Sequence, residues 1–361
     1  MPIVSDVVVG LQHGDEGKGK VINYLTENNT YHVGIRFGGG PNAGHTFYRN
    51  GKKFATHHIP VSIAGDIICL IGPTCVIDLT KLEKEIIYLE DNGINVRNKL
   101  RLSFNCHVIT SEAIQDDINS NKVGTTKCGI GPTYSRKMLR TGKRIVDFLE
   151  KKFTTEDIVL EQGVIGEVLG CQVVDPYIYL NFLEKSYQSK GEVLRILFEG
   201  AQGFNLDIDW GDYPYVTSSS CLTYQIFSTG VPIKSINNVY GIAKMYDTYV
   251  GSKQFMPTTN NKDLVNLQKK GKEYGTTTGR PRQCNWLNLQ SLRRALGINC
   301  INTLIINKCD IVDRCGVFKL YDNHGTLRSF QTSIQMRLFI QDALKDLNIE
   351  NIIYSYSPET V

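Results

Sequence analysis

Two short strings concentrate the residue types that handle nucleotides. Gly14-Asp15-Glu16-Gly17-Lys18-Gly19-Lys20 follows a β-branched run, Asp6 to Leu11, and leads into Lys18 to Thr26, where apolar residues recur at helical spacing. A glycine loop between a strand and a helix turns backbone N–H groups toward an anion, and the helix N-terminus adds to the positive field. Gly14 to Lys20 fits G-x-x-x-x-G-K, but Val21 stands where a Ser or Thr would reach Mg2+. Another group must then hold the metal, and Asp15 is the obvious one. A carboxylate among phosphate-binding amides repels the ligand that the loop attracts, unless it serves as a metal ligand, a base or both. A solvated glycine turn could carry the same letters; the strand-loop-helix setting argues against it.

Asn307-Lys308-Cys309-Asp310 ends a second apolar run, Leu304 to Ile306. An Asp at a strand end can accept hydrogen bonds from guanine N1–H and N2–H2, a donor pair that adenine lacks. The aliphatic stem of Lys308 can cover the base while its ammonium stays solvated. A capped strand end would read the same in isolation. Together with the phosphate loop, the string favours GTP over ATP.

These strings need a scaffold. Short apolar strands are expected near Val33 to Phe37, Ile67 to Ile71, Val193 to Phe198, Val239 to Ala243 and Thr303 to Ile306, with helices between several of them, notably Leu79 to Asn92 and Leu287 to Leu296. The alternation predicts an α/β fold, P-loop-NTPase-like, in which helices flank a largely parallel central sheet that carries long functional loops. No repeat, low-complexity block or long linker interrupts the chain, so residues 1–361 read as a single domain. The loops Gly38 to Thr46, Gly124 to Thr133 and Gly275 to Arg282 are rich in Gly, Thr and basic residues, a composition suited to ligand contacts on a rigid sheet.

Composition excludes other classes. With 41% hydrophobic residues in 361, a large core is available, and a net charge of +4 is too small for general nucleic-acid or membrane binding. The longest apolar runs fall far short of the ~20 residues of a bilayer span. No secretory leader is expected, and the ten cysteines lie without CxxC pairing, as reduced thiols rather than a disulfide frame or zinc site. A cytoplasmic protein is expected.

The phosphate loop, Pro41-Asn42-Ala43-Gly44-His45-Thr46, Gly124-Thr125-Thr126 with Gly129-Ile130-Gly131-Pro132, Glu199-Gly200-Ala201-Gln202-Gly203, Tyr213 to Ser218 and Thr277-Thr278-Gly279-Arg280 together resemble the adenylosuccinate synthetase family, in that family's order and over most of the chain. The Gly39-Gly40-Pro41-Asn42 wording resembles its compact archaeal or virus-encoded forms.

The resemblance implies a GTP-dependent ligase of purine (AMP) biosynthesis. IMP is first phosphorylated on O6; the amine of L-aspartate then displaces phosphate to give adenylosuccinate. Asp15 would take the N1 proton and bind Mg2+, and His45 would act at the β–γ region of GTP. Gly14, Asp15, Glu16, Gly17, Lys18, Gly19 and Lys20 would hold GTP with Gly44, His45, Thr46, Arg282, Lys308, Asp310 and Ser355. Gly44 would also offer its carbonyl to Mg2+. Asp15, Lys18, Asn42, His45, Thr126, Gln202, Thr217 and Arg280 would hold IMP. Arg140 would reach the IMP phosphate of the neighbouring subunit, which implies a homodimer with shared sites. Thr276, Thr277, Thr278, Arg280 and Arg282 would clamp aspartate.

Some positions depart from the family's pattern. His13 stands in place of a usual Trp, Lys127-Cys128 replaces a typical Gly-Arg pair, Pro281 and Asn285 alter the wording after Arg280, and Ser355-Tyr356-Ser357-Pro358 only loosely resembles the guanine-side loop. Two other readings stay open at this level. One is a phage-type relative that joins aspartate to dGMP, in which the loop aspartate is usually a small residue. The other is a GTP-binding switch without ligase activity.

Overall fold

The computed structural model describes residues 3–120, 124–149, 162–257, 261–275 and 279–361. Ten strands form the central sheet: β1 (Ile3–Gly10), β2 (Val33–Arg36), β3 (Ile68–Ile71), β4 (Leu100–Ser103), β5 (Val164–Val168), β6 (Cys171–Val174), β7 (Leu194–Glu199), β8 (Ile236–Lys244), β9 (Thr303–Asn307) and β10 (Asn351–Tyr354). Their spatial order is β10-β9-β8-β1-β7-β2-β3-β4-β6-β5. Each pairing is parallel except the one between β5 and β6.

Side chains alternate across a strand, and here both faces are covered. Val7 and Val9 of β1 join Ile35, Ile196, Phe198, Leu304 and Ile306 in one apolar cluster. Val8 joins Leu197, Ile305, Ile22 and Leu25 in the other. Burial on both sides is why these strands read as continuous apolar runs. The expected strands form, and β8 extends beyond the expected run at both ends. Leu287 and Asn288 belong to a strand, Gln283–Asn288, and not to the following helix, Leu289–Ile298. Asn288 caps that helix by accepting a hydrogen bond from the Ser291 N–H at 3.0 Å, which fixes where it starts.

A second sheet of four strands, Tyr246–Tyr249, Gln283–Asn288, Phe318–Tyr321 and Leu327–Phe330, begins just after β8. It presents Arg282 toward the end of β1.

The phosphate loop joins β1 to α1 (Lys18–Asn28). Gly14 (φ 84°), Asp15 (φ 60°) and Gly17 (φ 95°) lie in the left-handed region, where glycine is unstrained and Asp is among the better-tolerated alternatives. The hairpin His45–Arg49 with Lys52–Thr56 packs against α1. A Cβ on Gly19 would stand 2.7 Å from the Thr46 carbonyl oxygen and 3.0 Å from its nitrogen, so only hydrogen fits there.

All ten cysteines are unpaired thiols. Among the described residues, no helix is long and apolar enough to cross a membrane.

Gly19→Ala should press α1 away from the His45 hairpin and destabilise the fold by about 1–3 kcal/mol, as overpacking does. Urea unfolding at unchanged m-value checks this, and wild-type stability would remove the close approach from any positioning role.

Candidate active site

The carboxyl ends of β1, β2, β7, β8 and β9 bring the chemistry together, as the loops of an open parallel sheet do. From β1 comes the phosphate loop. Its Glu16 is turned inward and fully buried: Oε1 accepts from the backbone N–H of Gln12 at 3.1 Å and of Gly14 at 2.9 Å, and Oε2 pairs with Lys18 Nζ at 2.6 Å. Lys18 also donates to the Gln202 carbonyl, joining the loop to the segment after β7. The loop thus keeps its shape with an internal anion, while the first-turn N–H groups of α1 lack intrahelical acceptors. Lys20 donates to Ser355 Oγ at 2.5 Å and to the Ser357 carbonyl at 2.9 Å, and burial lowers its pKa to about 8.

Asn307 explains how the two strings meet. Its amide nitrogen donates to the Glu16 carbonyl at 2.7 Å, and a Cβ on Gly17 would lie 2.9 Å from that nitrogen. The end of β9 is therefore tied to the phosphate loop through a position that must be glycine. Lys308, at φ 66°, precedes the short helix Cys309–Cys315 and donates to the Gly271 carbonyl at 3.0 Å. Asp310 pairs with Arg314 at 2.6 Å, and the Cys309 N–H donates to the Ser355 carbonyl at 3.2 Å.

Asp15 is met from the second sheet. Its Oδ2 accepts from Arg282 Nε at 2.7 Å, and the other arm of the same guanidinium, Nη1, reaches Glu273 Oε2 at 2.6 Å. Burial alone would raise the Glu273 carboxyl, but Lys244, Lys308 and Arg282 hold it at about 2. Asp15 remains the more open carboxylate, with 28% of its side chain exposed.

His45 opens the hairpin that follows the loop after β2. Its Nδ1 is hydrogen-bonded to Glu199 Oε1 at the end of β7; Arg36 Nη1 donates to the same oxygen at 3.3 Å, and the Val61 N–H to Oε2 at 2.8 Å. Burial, reinforced by Arg36, pushes the His45 pKa down to about 4 in spite of Glu199. The imidazole is neutral at pH 7, its Nδ1–H donates to Glu199, and Nε2 is the nitrogen left for a ligand.

The other expected contacts are less uniformly gathered. Gln202 has φ 53°, and its Nε2 is buried with no acceptor among the described residues. Asn42 Oδ1 accepts from the Gly40 N–H at 3.2 Å, within the loop that carries Gly44 and the hairpin residue Thr46. Thr126 lies in the loop before the helix Ile130–Leu139, and Thr217 N–H donates to the Leu206 carbonyl at 2.8 Å. Arg280 is exposed, and its carbonyl accepts from the Gly275 N–H at 2.8 Å. Arg140 ends its helix on the surface beside Met138 and Leu139, which are 74% and 67% exposed. Thr276, Thr277 and Thr278 lie outside the described residues.

Four side chains with no role assigned from sequence belong to this site. Glu199 and Arg36 sit at strand carboxyl ends, a position that could have marked them once the strands were placed. Glu273 precedes the hydroxyl-arginine loop without any motif of its own. His13 is the fourth: Nδ1 meets Asp247 at 3.0 Å and Nε2 meets Asp212 at 3.0 Å, while Lys253 also binds Asp212 at 2.7 Å. Burial opposes charge on His13, yet Asp247 and Asp212 outweigh it and raise the pKa to about 9. An imidazolium strung between two carboxylates anchors the phosphate loop here.

A model of the adenylosuccinate synthetase family matches residues 7–163 and 171–337. The adenylosuccinate synthetase of Xanthomonas euvesicatoria pv. vesicatoria is 40% identical over 354 residues, covering 89% of this chain and 81% of that protein. That of Shouchella clausii is 39% identical over 349 residues, covering 88% and 79%. Among solved structures, the fully ligated adenylosuccinate synthetase from Plasmodium falciparum superposes with a TM-score of 0.75 at 27% identity, over 99% of this chain and 98% of that one. The succinoaminodeoxyadenylate synthetase of cyanophage S-2L, bound to dGMP and dATP, shares the fold at a TM-score of 0.70 and 20% identity, over 99% and 94%. With matched segments carrying the phosphate loop, His45, Glu199, Arg282 and Asp310, the chain belongs to the adenylosuccinate synthetase family of C–N bond-forming ligases.

Proposed function

We propose that the chain, working as one unit, ligates L-aspartate to IMP at the expense of GTP, giving adenylosuccinate, GDP and phosphate. The observation that carries this reading is the meeting of Asp15 with Arg282: a carboxylate in a phosphate loop is in contact with the guanidinium of the loop expected to clamp aspartate. A GTP switch needs neither that carboxylate nor that clamp.

In the first step Asp15 accepts the N1 proton of IMP, O6 bonds to the γ-phosphorus, and the bond to GDP breaks. In the second, the aspartate amine attacks C6, the C6–O6 bond breaks with its electron pair leaving on phosphate, and the proton lost by the amine passes to the departing phosphate. Arg282 stays close enough to Asp15 to bring the amino acid's carboxylate beside the purine. The buried Gln202 amide offers a donor to the nucleotide. His45, neutral at rest, donates through Nε2 once it gains a second proton, a change favoured by the arriving phosphate charge and by Glu199 on its other nitrogen.

Among the described residues no three His, Cys, Asp or Glu side chains converge as a metal cage. Mg2+ is nevertheless compatible with the loop, because this hard ion keeps water and phosphate oxygens and needs only one or two protein ligands. Asp15, partly exposed, and the Gly44 carbonyl would hold it. When bound, it would neutralise the charge on the terminal phosphates.

The dGMP reading is disfavoured by Asp15 itself. A carboxylate at this point suits a purine whose N1 proton must be taken and leaves less space than the small residue usual in dGMP-using relatives.

Purified protein supplied with GTP, aspartate and Mg2+ should consume IMP, and Asp15→Ala should lower kcat by at least ~100-fold. Turnover of dGMP alone, or most of the activity surviving in Asp15→Ala, would refute the assignment. Glu199→Gln removes the charge that sustains a protonated His45; kcat should fall on the order of 100-fold while the melting temperature locates any loss of fold. Normal kcat in that variant would exclude Glu199. Arg140 is proposed to serve the partner's site in a homodimer, so Arg140→Leu mixed with Asp15→Ala subunits should regain activity through one intact shared site. Heterodimers that form and stay inactive would count against sharing.

A further inference from the structure

Glu273 is fully buried and follows the helix Lys262–Gly271 at a turn where its N–H bonds to the Gln268 carbonyl at 3.0 Å. Its two oxygens divide their partners. Oε2 receives Arg282 Nη1 at 2.6 Å and lies 3.7 Å from Lys244 Nζ; Oε1 receives the Tyr246 hydroxyl at 2.5 Å and lies 3.8 Å from Lys308 Nζ. Arg282 continues to Asp15, and Lys308 belongs to the string expected to cover guanine. One carboxylate thus touches side chains of two different binding regions.

We infer that Glu273 is a positioning residue that couples the amino-acid and guanine-nucleotide regions of the site by fixing Arg282 and Lys308 against one shared anion. The geometry gives the reason. A guanidinium anchored through Nη1 can present Nε to Asp15 in only one orientation, and a lysine held by the Gly271 carbonyl at 3.0 Å with Oε1 at 3.8 Å keeps its stem at a fixed height above the end of β9. Three cations around a buried anion also repel one another once it is gone, so Arg282 and Lys308 would lose their settings together. Lys244 accounts for part of the need for a countercharge, but it is itself buried and donates to Thr248; it does not explain why the remaining contacts point to two ligand regions.

The inference rests on the functional reading for which ligands those regions take, and the test keeps the two apart. Steady-state kinetics of Glu273→Gln should show KM for aspartate and for GTP each raised about tenfold, the loss expected for a charged hydrogen bond, with KM for IMP changed less than threefold. Tyr246→Phe, which removes one donor to Oε1 without changing the packing volume, should raise the same two constants about threefold; if Glu273→Gln does not fold, this variant decides. A lowered melting temperature with both constants unchanged would overturn the inference and leave Glu273 as a countercharge for Lys244. If the wild-type protein does not turn over IMP, the functional reading fails by itself. Calorimetric titration with GDP and Mg2+ then decides: binding about tenfold weaker in Glu273→Gln supports the coupling, and equal binding overturns it.

Discussion

A negative charge placed inside a phosphate loop has to be balanced before the loop can work, and the balance here is the ion pair between Asp15 and Arg282, formed across 267 residues of sequence. The pair does not stand alone. Arg282 is held by Glu273, and Glu273 by Lys244 and Lys308, so charges alternate from the glycine loop after β1 to the end of β9. Coulomb terms grow as water is removed, and each buried member would be costly without the next. The loop can therefore carry a carboxylate among its amides because Arg282, at the start of the second sheet, supplies a partner for it.

The parallel sheet makes these meetings possible. Strands β1, β2, β7, β8 and β9 end at one edge, and Arg282, at the start of the second sheet, reaches the loop there. Contacts between backbones set the tolerances: glycine at position 19 admits the His45 hairpin, and glycine at position 17 admits Asn307. His13 adds a third anchor by joining the loop to Asp212 and Asp247. Its bridge gives the departure at this position a physical role, since the imidazolium ties the loop down through charge and hydrogen bonds.

His45 and Glu199 illustrate a different use of burial. Desolvation keeps the imidazole neutral next to a carboxylate, and the Arg36 guanidinium shares that carboxylate. The nitrogen facing Glu199 is settled by this arrangement, which leaves Nε2 as the free nitrogen of the ring.

Much of this was legible in the residues themselves. Short continuous apolar runs named the strands, the glycine spacing named the strand-loop-helix turn, Asn307 to Asp310 named the strand end that is tied to that turn, and the ordered motifs named the family, because each is a local pattern with a local physical cause. The ends of elements were less legible: Leu287 and Asn288 fit a helix by spacing, but pairing with Leu320 and Tyr321 places them with strand neighbours. Glu273 and His13 could not be assigned from sequence, since a buried charge takes its meaning from partners that are distant along the chain. Sequence by itself determined which chemistry was available and on what kind of scaffold. Only the tertiary structure decided which charge answers which, because Coulomb and hydrogen-bond energies depend on separation in space and on the exclusion of water, and neither is written in the order of residues.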